Sequence, residues 1–307
     1  MYEVKENILA TLAYFDIFKY PLTSGEIFVF LKNRYHQSDF DLALRYLVAH
    51  QSVYQFGNLY SLKNDYSLVT RRFNGNQKAA ELVKIAHKIG DWLIRFPYVR
   101  GIAVSGSLSK NYADENSDID LFIITAKNRL WIARTIMHVF KKLTFLVGKQ
   151  DYFCMNYYID EEQLEIREKN IYTAIEVVTL IPLQGDTVIE QFYTANSWTR
   201  EYLPNKIMRI SSAKPLKPSI FKTVFEKCLN NRLGNLIDTL LMNITSGRWR
   251  KKTEQKKTNS KGAVMAMETG KHFAKPDPGN FQARLLGQYE KRISQVMIEP
   301  QGDLLAN

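Results

Sequence analysis

The stretch that most constrains the 307-residue chain is YVRGIAVSGSLSKNYADENSDIDLFIIT, residues 98–125. Val99 to Val104 reads as a buried strand and Leu121 to Ile124 as a second. Between them lie Ser105-Gly106-Ser107, a ten-residue spacer and Asp118-Ile119-Asp120. Gly106 lets the backbone turn sharply and approach a ligand closely. Ser107 is placed to open a helix, where free N–H groups favour an anion and the hydroxyl can bind phosphate oxygen. Period two puts Asp118 and Asp120 on one face at the start of the second strand and turns Ile119 into the core. Two adjacent carboxylates repel each other unless a cation neutralises them, and oxygen donors suit a hard divalent ion such as Mg²⁺. The pattern therefore predicts a phosphate site beside a metal site, the requirement of phosphoryl or nucleotidyl transfer with one or two metals.

These residues resemble the DNA polymerase beta-like nucleotidyltransferase superfamily. Its signature is an apolar strand, G-S or G-G, about ten residues and D-x-D between apolar flanks. The resemblance covers roughly residues 96–160. It implies a nucleoside triphosphate substrate, Mg²⁺ held by Asp118 and Asp120, and a triphosphate held by Ser105, Gly106 and Ser107, with Lys110 adding charge. The following region, 153–204, is similar to the stretch after the motif in bacterial nucleotidyltransferase-like proteins, which implies no particular acceptor. Tyr172, Glu176, Trp198 and Tyr202 there are candidates to shape an acceptor pocket, or simply pack helices.

The superfamily also uses a third carboxylate on a later strand, as metal ligand and base. After a helix expected over 130–147, the next strand reads Tyr152 to Ile159. Alternation puts Phe153, Met155, Tyr157 and Ile159 on one face and Cys154, Asn156, Tyr158 and Asp160 on the other. The mid-strand position facing the site is then Asn156, a neutral ligand and a poor base. Asp160 shares that face but stands about 13 Å further on. Asp151 falls on the opposite face, and Glu176 would have to approach from a helix.

The rest of the chain sets the frame. Residues 1–65 read as three helices and a hairpin with a Gly57-Asn58 turn, a winged-helix-like module. Its third helix opens with Asp39 and Asp41, which repel phosphate, so a docking module competes with a DNA reader. Residues 66–160 form the transferase core with a leading helix, and 161–307 a helical C-terminal region, with one clear helix over 220–244 and another over 281–296. The segment 248–262 carries seven Lys and Arg against one Glu and reads as a solvated basic loop. The expected class is α+β, with a central mixed sheet flanked by helices.

A net charge of +11 attracts polyanions, so nucleic acid is a candidate partner through the winged helix or the basic loop. Two distant cysteines and no Cys/His cluster argue against zinc and a disulfide framework, as in a reducing cytoplasm. No apolar run approaches the ~18 residues of a membrane span, and no P-loop or G-x-S-x-G elbow occurs. Two functions remain: a Mg²⁺-dependent enzyme acting on an unidentified acceptor, or a catalytically weakened fold that binds nucleic acid or protein.

Overall fold

The computed structural model describes residues 2–144, 154–206, 212–216, 219–258, 262, 264–276 and 279–302. Asp151, Phe153, Lys261 and the last residues of the helix expected over 130–147 lie outside them. The chain is a mixed α+β fold. It opens with α1 (Tyr2–Asp16), β1 (Leu22–Thr23), α2 (Ser24–Val29), α3 (Gln37–Ala49) and the hairpin β2 (Tyr54–Phe56) and β3 (Leu59–Ser61). Thr23 starts α2 through a capping box: its hydroxyl accepts from the Glu26 amide, and the Glu26 carboxylate accepts from the Thr23 amide. β1 pairs with β3, making three short antiparallel strands rather than a bare hairpin.

The long helix α4 (Ser67–Leu93) leads into β4 (Val99–Val104), α5 (Gly106–Ser109), β5 (Asp120–Thr125), α6 (Leu130–Thr144) and β6 (Cys154–Asp160). α7 (Ile171–Thr179), β7 (Ile181–Gln184), α8 (Asp186–Ala195) and α9 (Thr199–Tyr202) follow. The chain ends in α10 (Ile220–Leu229), α11 (Arg232–Glu254), β8 (Met267–Thr269), β9 (Phe273–Pro276) and α12 (Phe281–Gly302). Six strands form one mixed sheet in the order β7-β4-β5-β6-β9-β8. β5 and β6 are parallel and joined by α6; the other neighbours are antiparallel. Strands from 181–184 and 267–276 thus extend a sheet that the sequence placed within 96–160.

The sheet divides two cores. Ile102, Val104, Leu121, Ile123, Met155 and Tyr158 face α4 and α6. Ala103, Phe122, Ile124 and Ile159 face α7, α8 and the N-terminal helices in one continuous cluster. α4 fastens the N-terminal elements to this frame. Its buried Arg72 donates to both carboxylate oxygens of Glu26, at 2.8 and 2.9 Å, and to the Pro21 carbonyl. α12 packs on α1 from the other end of the chain, with Tyr289 edge-on to Tyr14 and Arg292 at 2.7 Å from Asp16.

Two C-terminal expectations need correction. The helix expected over 220–244 is two helices, because Asn231 caps a new one by accepting from the Gly234 amide. The basic run is not a loop at its start: Arg248, Arg250, Lys251 and Lys252 belong to the last turns of α11, where cations complement the helix dipole. Among the described residues, no helix is long and apolar enough to cross a membrane.

α11 also steadies α6. Asp238 is buried and accepts from the Ile132 amide at the start of α6, at 2.9 Å. Burial pushes the Asp238 carboxyl up to about 6. An acid whose folded pKa is raised favours the folded state while protonated, so this group's stabilisation is lost as pH rises from about 4 to about 6. The cost at neutral pH is about 3 kcal/mol at most. Asp238→Asn keeps the acceptor and removes the charge. Melting curves from pH 4 to 7 are expected to fall less with rising pH in the variant than in the parent protein.

Candidate active site

β4 and β5 bring the two halves of the motif together. Val104 pairs with Leu121, and the Ser105 amide donates to the Asp120 carbonyl at 2.9 Å. The chain must turn at once to avoid the neighbouring strand, and Gly106 does so at φ +68°. A β-carbon on Gly106 would lie within 3.2 Å of the Asp120 carboxylate carbon. Only glycine meets both conditions, positive φ and this close approach. α5 is a single turn, shorter than the helix expected after Ser107.

The spacer is anchored on α4. The Tyr112 ring lies against Gly75, and the Ala113 amide donates to the Gly75 carbonyl at 3.2 Å. An Asp114–Ser117 turn then closes through the Asp114 amide and the Ser117 hydroxyl at 2.7 Å. This returns the chain to Asp118, which precedes β5, while Asp120 begins it. Ile119 is fully buried on the α4 side, and Asp118 and Asp120 line a cleft on the other side.

β6 departs from simple alternation. Leu121 pairs with Met155, but Phe122 pairs with Tyr157, so Asn156 is an extra residue in a bulge. The bulge reverses the faces beyond it. Met155 and Tyr158 share the α6 core, while Tyr157 and Ile159 pack on the cleft side. The sequence put Met155, Tyr157 and Ile159 together, and the unpaired residue is why that fails. Asn156 stays at the site: its Nδ2 donates to Asp120 Oδ1, and its Oδ1 accepts from Cys154 Sγ at 3.1 Å. Burial, then the charge of Asp120, pushes the Cys154 thiol up to about 12.

The other acids are distributed by the fold. Asp160 stands opposite Thr125, whereas Asp120 stands opposite Cys154 at the other end of the strand pair. Its carboxylate accepts from the Asn128 and Glu162 amides at 2.9 and 3.0 Å and contacts His272 Nδ1 at 3.0 Å. Asp160 therefore does not share the site face with Asn156. Glu176 does reach the cleft, from α7, and pairs with Lys110 at 2.7 Å. Lys110 also donates to the Gly106 carbonyl at 2.9 Å, so it is not the solvated side chain that a spacer position suggests. Sixty-six positions separate Lys110 from Glu176, and no sequence spacing marks the pair. Among the described residues, no three His, Cys, Asp or Glu side chains gather as a metal cluster.

The cleft holds about 820 Å³. Ser105, Gly106, Ser107, Lys110, Asp118, Asp120 and Asn156 form one part of its wall. Phe15, Phe18 and Tyr20 close it from the N-terminal elements, Tyr157 and Tyr172 from the centre, and Phe281 from the C-terminal helix. Trp198, buried in the core with its indole N–H on Asn196 Oδ1, does not line it. Neither does Tyr202, whose hydroxyl donates to the Lys169 carbonyl. These N- and C-terminal contributors carry no motif, since any aromatic at helical spacing reads as core.

Residues 87–191 match the family model described as nucleotidyltransferase domain. Over that part of the chain the match supports a nucleotidyltransferase domain of the polymerase beta-like family. The match runs from the end of α4 into α8 and contains the Gly106 turn, both aspartates, Asn156 and Glu176. No curated protein and no solved structure matches the chain. A general nucleotidyltransferase function follows from the domain.

Proposed function

We propose that the domain transfers a nucleoside monophosphate from an NTP to an acceptor hydroxyl or amine and releases pyrophosphate. The observation that carries this is the meeting of the Gly106 turn with Asp118 and Asp120 at one wall of a ligand-sized cleft. The donor set fits Mg²⁺: the two carboxylates supply hard oxygen ligands, and such ions keep further positions for phosphates and water. Asp118 and Asp120 would hold one ion or two, and Asn156 would orient Asp120. Bound there, the metal supplies charge for the oxygens on phosphorus. Ser105, Gly106 and Ser107 cradle the phosphates, and Lys110 adds a cation beside the turn.

Asp114, Glu168 and Glu176 also line the cleft, and Glu176 is taken as the base because its partner Lys110 sits on the Gly106 turn. In the step proposed, the acceptor oxygen attacks the α-phosphorus, its proton passes to Glu176, and pyrophosphate leaves. Lys110 is then shared between Glu176 and the triphosphate. Glu176→Gln frees Lys110 and is expected to tighten nucleotide binding about 2- to 5-fold. The same change is expected to slow transfer roughly 10²- to 10⁴-fold. Lys110→Met is expected to weaken binding. Titrating each variant with Mg²⁺ and ATP, CTP, GTP or UTP checks the binding, and labelled pyrophosphate release checks the rate.

A second reading is a transferase fold that binds without turnover, and the amide at position 156 favours it. Nucleic acid would then engage the N-terminal module or the cations from Arg248 onward. It predicts binding that falls steeply with salt. No gel shift at low salt counts against it.

A further inference from the structure

α10 and α11 lay their inner sides on one cluster, with Phe225, Leu229, Ile237 and Leu241 against Tyr98, Ile132 and Ala133. Their outer sides are apolar as well. On α10, Ile220, Phe221 and Val224 are 86, 68 and 58% exposed. On α11, Leu233, Leu236, Leu240 and Ile244 are 57, 69, 58 and 41% exposed. At roughly 150 to 200 Å² for a fully exposed large side chain, these surfaces sum to on the order of 700 Å². The largest patch on an ordinary monomer is about 300 to 600 Å², while one partner in a standard interface contributes about 800 Å².

We propose that this face is the contact between two copies of the chain. Two observations select a second copy. The α11 stripe is spaced three, four and four residues apart, so it forms one continuous ridge along the helix. Such a ridge packs against itself across a two-fold axis. Charge gives the second reason. Two copies of a chain with net charge +11 repel wherever their cations meet. From Leu233 to Gly247, α11 carries no charged residue except Asp238, which is buried on the inner side. Lys227 is exposed near the end of α10 and Arg232 stands just before the stripe, while the other basic residues of α11 begin at Arg248, past Ile244. An anionic membrane or an acidic partner would instead be met by cations among the leucines.

Light scattering after size exclusion, over a concentration series, is expected to give twice 35.7 kDa for the full chain. Leu236→Glu with Leu240→Glu is expected to raise the dimer dissociation constant at least about 100-fold, since each buried leucine contributes about 1.5 to 3 kcal/mol. The milder pair Leu236→Asn and Leu240→Asn is expected to weaken the dimer too, with the circular dichroism spectrum unchanged because both residues point away from the core. A mass of one chain at every concentration overturns the proposal. So does a dimer that survives both pairs of substitutions. Monomers that bind phosphatidylserine vesicles through these leucines would also overturn it, in favour of a lipid surface.

Discussion

Asp118→Ala and Asp120→Ala are each expected to lower Mg²⁺-dependent transfer at least about 10³-fold while leaving the fold intact. Both side chains line the cleft and neither fills the core, whereas Ile119 between them is fully buried. Losing one carboxylate removes an anionic anchor for the metal and leaves the charge on the phosphoryl oxygens less balanced, an effect worth several kcal/mol. Pyrophosphate release with each NTP, with and without Mg²⁺, measures the loss. A metal-dependent melting shift in the parent protein but not in the variants separates lost binding from misfolding. If Asp118→Ala binds nucleotide and turns over like the parent, the transferase reading fails. Asn156→Asp is the informative companion. A third acid beside Asp120 adds like-charge repulsion without metal, so the apo protein is expected to melt lower and to gain more from Mg²⁺.

Asp160→Ala is expected to cost about 3 kcal/mol of stability, and to lower the melting temperature by roughly 5 to 10 °C. The Asp160 side chain is fully buried, and it accepts from two backbone amides and contacts His272. Its removal leaves those groups unpaired where water does not replace it. Denaturant melts give the magnitude. Nucleotide affinity of the folded variant is expected to match the parent, because Asp160 stands at the end of β6 away from the cleft. A large loss of affinity with unchanged stability would instead assign Asp160 to the site.

The same two aspartates show how far sequence reading reaches. Short-range chemistry was legible in it: a glycine at a strand end, a fixed spacer and D-x-D at period two specify a turn and two carboxylates on one face. The structure keeps these parts. The β6 face was not legible, because alternation holds only while every residue pairs, and the bulge at Asn156 is set by the partner strand β5. Nor was the end of α11, where high charge density reads as loop until helix packing is known.

Sequence alone determined the motif, the mixed α+β class and the amide at position 156, since each rests on residues a few positions apart. Tertiary structure decided which distant groups share the cleft: Glu176 with Lys110, Asp160 away from both, and the aromatics of α1 and α12 as walls. The physical reason is that a strand or turn follows from local geometry. A pocket is formed by elements brought together through core packing, and many sequence separations can satisfy the same packing.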